Sequence, residues 1–249
     1  MSEKILQSPI PEGPFNIPFA RPLTTAEQVA DHCGVMIVEG RIAAGERLGE
    51  ERLAEMCGVS RGPVREALRI LERRRLIEII PRRGAFVRSV SLDSIADLFN
   101  VRNALAAMAA GTMAARIAAG QGMEDLGRLQ RRAEKIKSLT EDLSCTSLDY
   151  SFQLTRFVFA TIIGSANLIL IDIWKELNEN TFWTTIWKVP QEGRTPAERE
   201  MRLLQIETVL DRISAGDSRQ AEAEMRVTLD AIRDRVLNNL RTSRPSGIR

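Results

Sequence analysis

Arg61, Arg65, Arg69 and Arg73 recur at every fourth position. On a helix, a step of four overshoots one turn by about 40°. Such a row drifts slowly around the cylinder, so Arg61 and Arg65 share a stripe while Arg73 has rotated toward the flank. A guanidinium keeps its charge and offers a fork of N–H donors, which suits phosphate oxygens and the O6 and N7 atoms of guanine. Between Gly58 and Arg88 lie nine arginines, no lysine and three acids, Glu66, Glu72 and Glu78. That segment carries +6 in a chain of net charge +2, which leaves −4 for the rest. A basic module on a mildly acidic body turns one face toward a polyanion.

The elements that must position these arginines are legible around them. Ser60 reads as a helix N-cap, with Pro63 in the first turn, where its missing N–H costs nothing. Val64, Ala67, Leu68 and Leu71 form the stripe that would bury this helix on the opposite side. Two helices precede it. One starts at a capping box, Thr24 with Glu27, carries Val29, Cys33, Met36 and Ile37, and ends near Gly40. The other, Glu50–Cys57, stops at Gly58, where a left-handed cap is wanted. Between them, Arg41–Leu48 reads as a turn and a short extended piece. After the arginine helix, Leu76–Ile80 and Ala85–Arg88 read as strands around a turn containing Arg82, Arg83 and Gly84. Three helices followed by a β-hairpin is the order of a winged helix-turn-helix. Double-stranded DNA is the expected partner: the third helix fits the major groove, with Arg61, Arg65 and Arg69 on its outer side. The Ser60 hydroxyl, and the first-turn N–H groups around Gly62, suit a phosphate. Arg82, Arg83 and Gly84, at a basic hairpin tip, suit phosphates or the adjacent minor groove.

The rest of the chain has a helical period. Helices are predicted near 92–119, 122–138, 147–163, 167–187, 196–215 and 217–240, broken by Gly120 with Gly122, by the polar stretch 140–146, by Gly164, by Pro190 to Pro196 and by Gly216. The expected fold class is therefore mainly α. Its parts are a flexible proline-bearing arm (1–23), a winged helix-turn-helix (24–89), an all-α helical bundle for effector binding and dimerisation (90–241) and a tail (242–249). No apolar run approaches the roughly 18 residues of a membrane span. The N-terminus does not read as a signal peptide. Cys33, Cys57 and Cys145 are odd in number and widely spaced, which argues against a disulfide framework or a zinc site and fits a reducing cytoplasm.

Gly58-Val59-Ser60-Arg61-Gly62-Pro63-Val64-Arg65-Glu66-Ala67-Leu68, continued by Leu71-Glu72 and Arg83-Gly84-Ala85-Phe86-Val87, resembles the signature of the GntR family of bacterial regulators. Gly40–Leu48 resembles the family's turn before the second helix, and the helical remainder is similar to the FadR-like (FCD) subfamily. The resemblance implies a homodimer on a short palindrome, base reading by Arg61 and Arg65, and DNA contacts from Ser60 and Gly84. It also implies a small-molecule effector in the helical domain. One departure is Glu51, which stands where the family usually has an arginine. Arg52 beside it is carried as the substitute contact.

Many members of the subfamily hold a divalent metal through an aspartate and three histidines. This chain has a single histidine, His32, outside the helical domain. The matching positions are Leu154 or Asp149 for the aspartate, Val158 or Gln153 for the first histidine, then Ile206 and Thr228. No metal cofactor is expected. Leu154, Val158, Ile206 and Thr228 would leave a mostly apolar interior suited to a lipophilic or aromatic effector, or would simply fill a core. Arg102, Arg156 and Asn167 are candidate polar anchors, and Trp174, Trp183 and Trp187 are candidates for core or dimer interface. The expected function is a sequence-specific transcriptional regulator, a repressor modulated by an effector. The alternative is a constitutive DNA- or RNA-binding protein with no effector. No phosphate loop, Cys/His set or activated nucleophile suggests an enzyme.

Overall fold

The computed structural model describes residues 23–89, 91–142, 144–179 and 195–243. The proline-bearing segment 1–22, Trp183, Trp187 and the last six residues lie outside the described residues.

The first unit is built as its caps dictate. Helix α1 (Thr25–Val38) starts at Thr24, whose side chain accepts from the Glu27 N–H while Glu27 accepts from the Thr24 N–H. Helix α2 (Glu50–Cys57) ends on Gly58 at φ +65°. Helix α3 (Arg61–Arg73) follows after three residues, Gly58, Val59 and Ser60. It buries Val64, Ala67, Leu68, Ile70 and Leu71 against α1 and α2. At its far end Arg74 donates to Asp31 of α1 at 2.7 Å, a pair in which both side chains are largely buried.

The wing has one strand more than the hairpin expected from sequence. β1 (Arg47–Leu48), β2 (Ile77–Ile80) and β3 (Gly84–Val87) form an antiparallel sheet in the order β1-β3-β2. Arg47 faces Phe86, and Ile77 faces Val87. The short extended piece before α2 thus becomes the sheet's third strand.

The second unit is all helix: α4 (Leu92–Ala118), α5 (Met123–Glu141), α6 (Ser147–Gly164), α7 (Leu168–Glu179), α8 (Pro196–Ser214) and α9 (Ser218–Ser243). Side-chain caps at Ser91, Thr146 and Thr195 start α4, α6 and α8. Asn167 and Asp217 accept from the first-turn N–H groups of Leu170 and Gln220 and so start α7 and α9. Each oxygen satisfies a backbone donor that a helix start otherwise leaves open. Helices α4 and α9 form the most extensive pairing, and α5 packs on α6 and α8. The alanine run of α4 (Ala106, Ala107, Ala109, Ala110, Ala114) is fully buried, and small side chains there let neighbouring helices approach closely. Gly216 turns α8 into α9 at φ +72°, and a side chain there would sit 2.8 Å from Cβ of Ala118.

Candidate nucleic-acid interface and effector cavity

Helix α3 divides cleanly into two faces. Val64, Ala67, Leu68 and Leu71 are buried, whereas Ser60, Arg61, Gly62, Arg65 and Arg69 are exposed. The hydroxyl of Ser60 makes no cap bond, although its backbone has the extended conformation of an N-cap. Its predicted capping role is thus absent, and the oxygen stays open to an external donor or acceptor.

Wing and helix are tied together by the side chains of α3. Glu72 accepts from the Ile79 N–H at 3.0 Å, which fixes β2 relative to the helix that carries Arg65 and Arg69. At the wing tip Arg82 takes φ +63° and Gly84 φ +102°. A left-handed arginine costs on the order of 1 kcal/mol and leaves Arg82 and Arg83 both exposed. Arg83 lies 5.8 Å from the ring centre of Phe86. Arg47 of β1, exposed, packs its guanidinium against Gly84. Sequence reasoning missed Arg47 because only the β1–β3 pairing brings it to the wing.

Acids stand among these bases. Arg61 pairs with Glu51, and Arg65 Nε donates to Glu50 Oε2 at 2.8 Å. Arg52 points instead to Glu46, at 2.8 Å.

In the helical unit a small, mostly apolar pocket is lined by Phe99, Arg102 and Asn103 of α4, Leu154, Thr155 and Val158 of α6, Trp174 of α7, and Leu229 and Ile232 of α9. The guanidinium of Arg102, 1% exposed, is the cationic group in this lining. The Asn103 amide donates to Asp230 at 2.9 Å, and Arg233 donates to both Asp230 and Asn100, so polar bonds pin α4 to α9 beside the cavity. Of the residues singled out from sequence, Arg102, Leu154 and Val158 meet here. Asp149 and Asn167 instead sit at helix starts, bonded to Thr146 and to the Leu170 N–H. Gln153 is half-buried outside the lining, and Ile206 and Thr228 are buried elsewhere, with the Thr228 carbonyl accepting from Arg202. Trp174 is core, at 3% exposure.

The aspartate-and-histidine metal set implied by the resemblance does not fit these residues. Leu154, Val158 and Ile206 offer no donor atom, and Asp149 is exposed at the cap of α6. Among the described residues no three His, Cys, Asp or Glu side chains gather. No described helix is long and apolar enough to cross a membrane.

A basic helix and wing on one compact unit, with a helical bundle behind it, define a winged-helix transcriptional regulator. Residues 25–87 match the model of the gntR family of bacterial regulatory proteins, and residues 97–231 match that of the FCD domain. The chain belongs to the gntR family, in the branch that carries an FCD domain. It is 40% identical over 89 residues to the uncharacterized HTH-type transcriptional regulator BphR of Paraburkholderia xenovorans, covering 36% of each chain. It is 39% identical over 79 residues to the gluconate operon transcriptional repressor of Bacillus subtilis, covering 32% of each. The alignments thus span about a third of these relatives' length. A longer match, 24% identical over 202 residues and covering 80% of this chain and 83% of the other, is to the "Probable D-xylose utilization operon transcriptional repressor" of Paenarthrobacter nicotinovorans. Among solved structures the fold is similar to Lar of Listeria monocytogenes (TM-score 0.62, 19% identity, 88% of this chain and 99% of that one) and to E. coli McbR/YncC (TM-score 0.54, 21% identity, 89% and 99%).

Proposed function

We propose that this chain is a cytoplasmic, sequence-specific repressor that binds a palindromic DNA operator as a homodimer, and that a small lipophilic effector in the α4–α6–α7–α9 cavity tunes its affinity without a metal. The observation that carries the DNA half is the outer face of α3: Arg61, Arg65 and Arg69 are exposed above a fully buried inner face, beside a basic wing. Arg65 and Arg61 read base edges; Arg69, Arg82, Arg83, Ser60 and the backbone at Gly62 and Gly84 hold phosphates. Arg52, turned to Glu46, would have to change partner to take part. Val101 and Met108, two turns apart on α4 and both exposed, supply apolar surface that a second copy would cover. The cavity reading rests on its apolar lining around one cation. An effector acts only through different affinities for two geometries of the dimer. The roles are those of a regulator, and nothing in them calls for bond-making chemistry.

Native mass spectrometry of the purified full chain, before and after addition of a duplex selected from a random pool, tests the proposal. A dimer that retains an organic mass, carries no metal and releases the selected duplex when that compound is added supports it. A monomer, or a metal at one per chain, contradicts the corresponding part. A dimer without any retained or bindable organic ligand leaves a constitutive DNA-binding protein.

A further inference from the structure

The two leading arginines of α3 are not open to solvent on all sides. Each meets a carboxylate from the first turn of α2: Arg61 meets Glu51, ten residues earlier, and Arg65 meets Glu50, fifteen earlier. The carboxylates sit where a helix start favours negative charge, yet Gly49 supplies no side-chain cap and their oxygens turn to α3. By contrast, Arg69, Arg82 and Arg83 make no ion pair among the described residues. All four paired side chains keep 36% to 77% of their surface, so DNA can reach them.

The atoms engaged set what remains available. Arg65 gives Nε to Glu50, which leaves its two terminal nitrogens for the fork that meets guanine O6 and N7, whereas Arg61 gives one terminal nitrogen to Glu51 and keeps the other and Nε. Binding to random duplex is driven almost wholly by cations that neutralise phosphates and release counterions. A guanidinium already compensated by a carboxylate contributes little to that release, and the carboxylate repels the phosphate. Base-edge contact depends instead on the direction of the fork, which the carboxylate fixes.

We infer that Glu50 and Glu51 are positioning residues for specificity: they aim Arg65 and Arg61 at base edges and withhold them from phosphates, so they weaken binding to random DNA more than to the target. The inference rests on the DNA-binding reading above.

The test uses the full-length protein, a duplex selected from a random pool by the wild type, and a scrambled duplex of equal composition. Fluorescence anisotropy follows each across a salt series. The E50Q/E51Q variant keeps the size of both side chains and is expected to bind the scrambled duplex several-fold more tightly. Its salt dependence on that duplex should steepen by up to about 3.6 for the dimer, or about 0.9 for each of the four arginines released to a phosphate. Its preference for the selected duplex should fall. In an R61A/R65A background the same two glutamine changes should leave the slope where it was. A wild-type preference that survives E50Q/E51Q unchanged overturns the inference alone, as does equal steepening without the arginines. A wild type that prefers neither duplex overturns the DNA-binding reading and the inference with it.

Discussion

The guanidinium of Arg102 lies 3.8 Å from the ring centre of Trp174, joining α4 to α7 across the cavity with both residues almost wholly buried. Burial drives the pKa of this guanidinium down, and the ring face returns part of the lost hydration. A desolvated cation over an indole gains about 2 kcal/mol. Trp174→Leu should therefore destabilise the protein by about 3 kcal/mol, combining lost aromatic volume with the lost ring face. Trp174→Phe, which keeps a ring, should cost about half as much. Urea denaturation compares them; equal losses would show that the ring face contributes nothing.

Arg65→Ala and Arg83→Ala should weaken DNA binding in different ways. Loss of one bidentate guanine pair costs about 1–3 kcal/mol on the selected duplex and relaxes the preference at one position of each half-site. Loss of a phosphate contact at each of the dimer's two wings lowers affinity for all sequences and flattens the salt slope by about 1.8, or about 0.9 per wing. Equal loss for Arg65→Ala on selected and scrambled duplex would remove it from base reading.

Glu72→Ala should leave the core intact and loosen the wing. It removes the acceptor of the Ile79 N–H, a bond worth about 1 kcal/mol net. Hydrogen exchange should speed up at Ile79, while amides within α1 change little. Unaltered exchange at Ile79 would show that β2 is held by its strand partner alone.

Cys33 predicts an alkaline weakness. Burial first, and the neighbouring Cys57 thiol second, push its pKa up to about 12 from an ordinary value of 9.0. The folded chain thus keeps the neutral thiol after the unfolded chain has begun to ionise. The contribution is fully present below about pH 9 and is lost as pH rises toward about 12. Between about pH 8 and pH 10 the wild type should lose on the order of 1 kcal/mol more stability than Cys33→Ala, read by denaturant titration of both. Matching losses would show that Cys33 ionises freely in the folded state.

Much of the fold could be read from short-range signals. The capping box at Thr24 and the glycines at 58, 120 and 216 mark element ends within one or two residues of the observed ones, because a cap acts over three or four positions. The outer face of α3 was legible for the same reason. The partners of that face were not. Glu50, Glu51 and Arg47 meet their neighbours through the angle between α2 and α3 and through the pairing of β1 with β3, neither of which a helical period encodes. The interior of the bundle was read in part. Arg102 was singled out as an anchor with no sign that it would be buried on Trp174, 72 positions away. Asp149 and Asn167 resembled pocket residues because caps and ligands use the same oxygen-bearing side chains.

The two-faced construction of α3 separates what the protein recognises from whether it folds. Positions 61, 62, 65 and 69 contribute no buried side chain, so their identities can be exchanged with little loss of stability. A library restricted to these four positions would explore new DNA targets on one unchanged scaffold, with the helical domain carried along intact. Descendants of a duplicated gene could diverge by the same route, acquiring separate targets before they acquired separate signals.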